Sequence, residues 1–130
     1  MNSTVECGPG HADGRRRKME IFVDAIDTLM LLESPDNPDV TDAVVSLRVT
    51  AGIVAADVIC CTRLGGHSTS TNHGDAVALL KPVDATLANH LRRLLQMKPK
   101  AQYGALAVSA RELKTSARAV EVLVAAARDR

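Results

Sequence analysis

Residues 43–61 read AVVSLRVTAGIVAADVICC and carry two charged side chains, Arg48 and Asp57. Upstream, Asn37-Pro38-Asp39 offers a capping residue, a proline suited to the first helical position and an acid for the positive helix end. Downstream, Gly65-Gly66 is a helix stop signal. The sequence therefore predicts one long helix, apolar nearly all round, as the centre of a bundle or a dimer interface.

Further helical segments are predicted on both sides of this central helix. Upstream, apolar residues recur at steps of three and four from Met19 to Leu29, which predicts an amphipathic helix that ends near Ser34. Downstream, we expect a short helix from Asn72 to about Lys81, a helix capped by Asp84, and a last helix opened by Pro99 with a seam from Tyr103 to Ala127.

These segments define the predicted fold class. Residues 1–14 contain four glycines and prolines and no periodic apolar pattern, so they are predicted to be a flexible leader. Residues 15–130 are predicted to form a single all-α domain, an antiparallel four-helix bundle with five helical segments. The chain has 130 residues, 46% hydrophobic and 2% aromatic, which argues against aromatic-rich β sandwiches and against folds that stack bases on surface rings.

Charge is unevenly distributed although the net charge is only +1. Residues 19–61 hold one basic and eight acidic side chains, whereas residues 62–130 hold eleven and five. One interpretation is that acidic early helices stabilise basic late helices within a bundle or a dimer. The other is a phosphate-binding patch, aided by a mobile basic run at residues 15–18, whose members are Arg92, Arg93, Lys98 and Lys100.

The three cysteines, Cys7, Cys60 and Cys61, are odd in number and lack a C-x-x-C spacing. This predicts reduced thiols and a cytoplasmic protein, and no signal peptide or membrane anchor is indicated. Cys7 and His11 have a spacing that would suit the first half of a zinc site, but no second pair of suitable spacing is apparent. The sequence thus predicts no metal and no cofactor.

Asp57 is the most informative polar residue because it lies in an otherwise apolar helix. A buried carboxylate needs partners, and Arg48 lies on the opposite helix face. The candidate partners on other helices are His73, Lys98, Lys100 and Tyr103. Two interpretations stay open: a hydrogen-bond network that fixes helix register, or a ligand or active site. Phosphate-loop, dinucleotide-binding, zinc-protease and serine-nucleophile motifs are missing from the sequence.

Three stretches resemble HEPN domains, which are small prokaryotic all-α domains. Residues 46–61 resemble their long second helix, residues 72–80 the helix after a Gly/Ser loop, and residues 98–103 the start of their last helix; the likeness covers about residues 40–127. The resemblance implies dimerisation and a role in toxin–antitoxin, defence or RNA-processing systems. Many members cut RNA with an R-x4-6-H motif, which is missing here. Lys98 or Lys100 and Tyr103 stand in its place.

Three functional hypotheses follow. The first is a non-catalytic homodimeric module that binds RNA or a partner protein, such as a nucleotidyltransferase or an antitoxin, with its central helix as the dimer contact. Its binding residues would be Asp57, Arg92, Arg93, Lys98 and Lys100. The second is a metal-independent endoribonuclease in which His73 or Tyr103 transfers protons. The third is a structural adaptor.

Overall fold

The computed structural model of the chain describes residues 4–32, 38–69 and 72–129. Within them the chain is mostly helical and carries one small antiparallel sheet. In chain order the elements are β1 (Thr4–Glu6), α1 (His11–Met30), α2 (Pro38–Leu64), β2 (Gly66–Ser68), α3 (Gly74–Leu80), α4 (Ala85–Gln102) and α5 (Ala110–Arg128). The all-α prediction therefore holds for the helices but missed the sheet.

Helix α2 is the centre of the molecule. Its valines Val44, Val49 and Val58 are fully buried, and α1, α4 and α5 all pack against it. By length and composition its apolar stretch would be long enough to cross a membrane, but 78% of that stretch is buried inside the domain. This is how the core helix of a small soluble domain behaves. Helices of the same chain cover most of α2, which favours its predicted role as the central helix, and its alternative role as a dimer contact stays a prediction.

The two strands bring residues 4–6 against the end of α2. Val5 pairs with His67, and Gly65, with φ 79°, turns the chain from α2 into β2. Gly66 lets the strands approach closely, since a Cβ there would lie 2.7 Å from the Val5 carbonyl oxygen. The prediction of a flexible leader over residues 1–14 is therefore wrong from residue 4 onward, where β1 and the first turn of α1 lie. Each strand has only three residues, too few to show alternation.

Helix boundaries agree with the sequence signals where capping is local. Asp84 caps α4 by accepting hydrogen bonds from the backbone N–H groups of Thr86 and Leu87. Helix α2 ends at Leu64, before Gly65, and α1 ends at Met30, short of the predicted Ser34. Ser34 and the predicted cap Asn37 lie outside the described residues.

The predicted start of the last helix is wrong. Pro99 lies inside α4, and the last helix begins eleven residues later at Ala110, after the cap Ser109. A proline removes its own N–H from the helix and crowds the carbonyl group four residues earlier, which disfavours an interior position without forbidding it. Ser109 and Glu112, in contrast, form a reciprocal capping box that satisfies two N–H groups. The stronger start signal therefore determines the boundary, and Tyr103 ends α4 instead of lying within the last helix.

Candidate functional site

Asp57 is 5% exposed near the C-terminal end of α2 and lies among three basic side chains. The Arg15 guanidinium donates a hydrogen bond to Oδ2, and His67 Nδ1 lies 3.7 Å from Oδ1. His73, when protonated, interacts with the carboxylate through its charge. The prediction that partners come from other elements is confirmed, and His73 was among them. Arg15 and His67 were missed.

The pKa values of this group follow from its burial. Burial raises the pKa of Asp57, against the lowering by the Arg15 hydrogen bond and by the charges of His67, Arg15 and His73. Burial and the charge of Lys98 lower the pKa of His73, and Asp57 opposes them. His73 is therefore a neutral imidazole near pH 7, able to accept a proton.

Two cavities meet at His73. The Asp57 cavity has a volume of about 330 Å³ and is lined by Arg15, Ile53, Asp57, His67, Ser68, Thr69, His73 and Ala76. The buried Nε of Arg15 has no hydrogen-bond partner among the described residues. The α3–α4 groove has a volume of about 410 Å³ and is lined by Asn72, His73, Gly74, Val77, Arg92, Leu95, Gln96, Lys98 and Pro99.

The α3–α4 groove is positively charged. Arg92 and Lys98 both line it, and no carboxylate is found among its lining residues. Arg92 also donates a hydrogen bond to the side chain of Asn89 on the same helix. Two of the four predicted phosphate-binding residues are thus brought together, with His73 between them and Asp57.

The other predicted site residues lie elsewhere. Arg93 lines a separate cavity between α4 and α5, with His90, Lys114, Thr115 and Arg118. Lys100 forms an ion pair with Glu112, 2.6 Å from its carboxylate oxygen. Tyr103 is 81% exposed at the end of α4 and lines neither the Asp57 cavity nor the groove. The predicted patch of four cations is therefore split between two faces of α4.

The basic run at residues 15–18 was predicted to be mobile and to assist the patch. In the structure Arg15 binds Asp57, and Arg16 Nε donates a hydrogen bond of 2.8 Å to the carbonyl oxygen of Ala127. Arg16 also contacts Asp13 and Thr62. This pair of arginines attaches α1 to α2 and α5, so the prediction is wrong for both.

Cys7 and Cys61 form a disulfide, and Cys60 is free and buried. The prediction of reduced cysteines is therefore wrong for two of the three, because β1 lies beside β2 and brings Cys7 next to the end of α2. His11 and His67 join them, with their Nε2 atoms 2.9 Å apart. The sequence-based prediction missed the second pair, Cys61-x5-His67, whose spacing could have indicated a partner for Cys7-x3-His11.

No family model matches the chain, and neither a curated protein nor a solved structure does so. The contacts and charges around His73 are therefore the observations that indicate a function.

Proposed function

We propose that the chain is a HEPN-like helical module that binds RNA through the α3–α4 groove without cutting it. In this proposal α1, α2, α4 and α5 are the four main helices of an antiparallel bundle, and α3 forms one wall of the binding groove. The observation that supports it is the groove itself, which Arg92 and Lys98 line without a carboxylate. A cationic groove of this kind favours an anionic ligand such as a phosphate backbone over a neutral or basic surface.

The surroundings of Arg92 and Lys98 support an external anion. Among the described residues neither side chain forms an ion pair, whereas Lys100 on the same helix is paired with Glu112. Arg92 and Lys98 thus keep their charge available for a ligand. His73 adds a neutral imidazole at the same edge. Its N–H can donate a hydrogen bond to a phosphate, and its other ring nitrogen can accept one from a ribose hydroxyl.

The composition of the groove also indicates the kind of recognition. Its lining contains no aromatic ring other than the His73 imidazole, so base stacking contributes little. Affinity would come from contacts to phosphates, which position a strand without identifying its sequence. We therefore expect RNA binding to depend weakly on sequence and steeply on salt.

The test is fluorescence anisotropy with a labelled single-stranded RNA over a series of salt concentrations. Replacing Arg92 or Lys98 by Gln should weaken binding and reduce the slope of log K against log salt by about one each. Arg93→Gln is the matched control, because Arg93 is adjacent on the same helix but lines the α4–α5 side. Its affinity and slope should equal those of the wild type.

Two outcomes would contradict the proposal. If Arg93→Gln weakens binding as much as Arg92→Gln, the groove is not the site. If the wild type binds no RNA even at low salt, RNA binding is wrong, and the adaptor or protein-partner hypothesis takes its place.

An endoribonuclease is the second candidate, and the position of His73 favours it. His73 is neutral near pH 7 and lies between Asp57 and the cations of the groove. As a general base it would take the proton of a ribose 2′-OH, whose oxygen then attacks the phosphorus. As the P–O5′ bond breaks, the leaving 5′-oxygen takes a proton from water and His73 returns its proton to the solvent. The products would be a 2′,3′-cyclic phosphate and a 5′-hydroxyl.

Cleavage of labelled RNA with EDTA present separates the two candidates. The binding module should leave the RNA intact. A ribonuclease should cleave it, and the variant His73→Gln should lose cleavage while keeping RNA affinity at pH 7. Tyr103→Phe tests the other predicted proton carrier, and its exposed position at the end of α4 leads us to expect no effect.

Dimerisation and a toxin–antitoxin or defence setting belong to the same proposal. Because most of α2 is buried against helices of the same chain, we expect a homodimer to use mainly other surfaces. Size-exclusion chromatography with light scattering measures the oligomeric state directly, and a monomer at all concentrations would remove the homodimer. A nucleotidyltransferase or antitoxin partner is likewise proposed from the resemblance, with the chain placed in the cytoplasm.

A further inference from the structure

We propose that Cys7, His11, Cys61 and His67 bind one zinc ion when the two cysteines are reduced. In this view the disulfide and the metal are alternative links between the N-terminal segment and the end of α2. The inference rests on these four side chains and is independent of RNA binding.

The backbone brings the two halves of the proposed site together. The Cys7 backbone N–H donates a 2.8 Å hydrogen bond to the Gly65 carbonyl oxygen, and the Cα atoms of the two cysteines are 5.5 Å apart. The four ligand atoms, two sulfurs and two imidazole nitrogens, all lie within 4.8 Å of one another. In a tetrahedral site with ordinary Zn–S and Zn–N bonds, neighbouring ligand atoms are roughly 3.3 to 3.8 Å apart. Small side-chain rotations after reduction therefore suffice to surround a metal.

His67 is already oriented as a metal ligand. Its Nδ1 lies 2.9 Å from the carbonyl oxygen of Ser68, which can only accept, so Nδ1 carries the hydrogen. In the neutral ring this leaves a lone pair on Nε2, the atom that faces His11. Metal-binding histidines commonly donate their other N–H to a carbonyl or a carboxylate in this way. Asp57 Oδ1, 3.7 Å from the same Nδ1, reinforces that orientation.

The chemistry of the exchange balances with a dithiol as reductant. The dithiol gives two electrons and two protons to the Cys7–Cys61 bond, which becomes two thiols, and the reductant becomes a disulfide. Binding of Zn²⁺ then displaces the two thiol protons to solvent. Two sulfurs and two nitrogens complete a tetrahedral shell with no open position, which is typical of structural zinc.

The binding test uses the full chain, reduced with a phosphine that is removed before titration in an oxygen-free buffer. We expect the reduced chain to bind one Co²⁺ with the intense visible bands of tetrahedral sulfur and nitrogen coordination, and Zn²⁺ to displace it. The oxidised chain should show no such bands. Failure of the reduced chain to bind either metal would overturn the proposal.

Variants assign the ligands. Changing a residue that only hydrogen-bonds to a metal ligand typically lowers metal affinity by roughly 10- to 100-fold. Cys61→Ser and His67→Gln remove the ligands themselves, so each should lower zinc affinity by more than this. Cys60→Ser is the matched control, because Cys60 is the adjacent thiol but lies outside the cluster, and His73→Gln is the control for the imidazole. If a control loses as much affinity as the ligand variants, the metal is bound elsewhere.

A thiol count tests the same site without any substitution. Reduced chain in mild denaturant with a chelator should react with a thiol reagent at three cysteines. With zinc and no denaturant, Cys7 and Cys61 should both be protected, and removal of zinc by a chelator should restore their reactivity. Unchanged reactivity of these two cysteines on adding zinc would contradict the proposal even if a variant fails to fold.

Discussion

The N-terminal segment, residues 4–30, and the C-terminal helices α4 and α5 are attached to α2 by different interactions. In the N-terminal segment, bonds cross long sequence separations: 54 residues for Cys7–Cys61, 42 for Arg15–Asp57 and 56 for His11–His67. In α4 and α5 the contacts that cap the helix starts span only two or three residues. Apolar burial attaches both helices to α2, and the buried guanidinium of Arg48 on α2 also donates hydrogen bonds to the Leu113 carbonyl oxygen and the Ser116 hydroxyl of α5.

The number of buried apolar side chains also differs between the two regions. Helix α1 buries two apolar side chains, Met19 and Ile26, in 20 residues, whereas α4 buries five in 18 and α5 five in 19, besides the polar Ser116. Burial of apolar area is insensitive to redox state and pH, while disulfides, metals and ion pairs depend on both. The N-terminal segment should therefore detach under conditions that leave α4 and α5 folded on α2.

Removing the Cys7–Cys61 bond should have the largest effect on stability. Closing a loop of 54 residues restricts the unfolded chain enough to contribute about 4 kcal/mol to the free energy of unfolding. Cys7→Ser should lose about this amount in urea denaturation with a chelator present. Cys60→Ala keeps the bond and is the control. A loss below 1 kcal/mol would mean that the segment is held by its other contacts.

Asp57→Ala should have the next largest effect. It leaves the Arg15 guanidinium and His67 without their carboxylate, and a hydrogen bond to a charged group is worth about 1.5 to 3 kcal/mol. Because Arg15 is 34% exposed and can reach water, we expect a loss of about 2 kcal/mol, below that of a fully buried pair. Asp24→Ala, which removes an exposed carboxylate of α1, should change stability little. Equal losses in urea denaturation would contradict the role assigned to Asp57.

The pH dependence of stability isolates the ionisation of Asp57. Burial raises its pKa in the folded protein, so between its ordinary value near 4 and the raised value the folded state binds more protons than the unfolded state. The stability of the wild type minus that of Asp57→Asn should therefore fall as the pH rises through this window. A rise instead would show that Arg15 outweighs burial.

These contacts also explain which features the sequence predicted. The roles of Asp84 as a helix cap and of Gly65 as a helix stop were predicted correctly, because capping involves residues within one helical turn of each other. The start of the last helix was predicted wrongly at Pro99, because proline often but not always marks the start of a helix. The capping box of Ser109 and Glu112, which is an equally local signal, was overlooked.

The candidate site was harder to predict for a physical reason. His67 reaches Asp57 from β2, and strands of three residues leave no periodic pattern in the sequence. Arg15 reaches Asp57 because α1 packs against α2, a contact that no local sequence signal specifies. His73 was found because a buried carboxylate requires a partner, but nothing in the spacing ranked it above Lys100 or Tyr103. Arg92 and Lys98 face α3 while Arg93 faces α5, a division that depends on how α4 is rotated against its neighbours.

Removing a helix cap should cost less than either N-terminal contact. Asp84→Ala leaves the N–H groups of Thr86 and Leu87 without their acceptor, which typically costs about 1 kcal/mol. Asp84→Asn, which keeps an acceptor oxygen, should recover most of the loss. Both variants should keep the Cys7–Cys61 bond and the contacts of Asp57. Stability in urea is the measurement, and a loss above that of Asp57→Ala would reverse the proposed order.

The smallest effect should come from the exposed ion pair between α1 and α5, which is the clearest test of how the two regions are joined. Arg128 donates two hydrogen bonds to Glu20, at 2.6 and 2.9 Å, and the Arg128 hydrogen bond lowers the pKa of that carboxyl. Because both side chains are about half exposed, Glu20→Gln should cost less than about 1 kcal/mol and the cost should shrink in high salt. The contribution is present above the ordinary pKa of Glu20 and is lost as the pH falls through its lowered value. A cost near that of Cys7→Ser would mean that surface charge, not the buried contacts at the end of α2, holds the N-terminal segment in place.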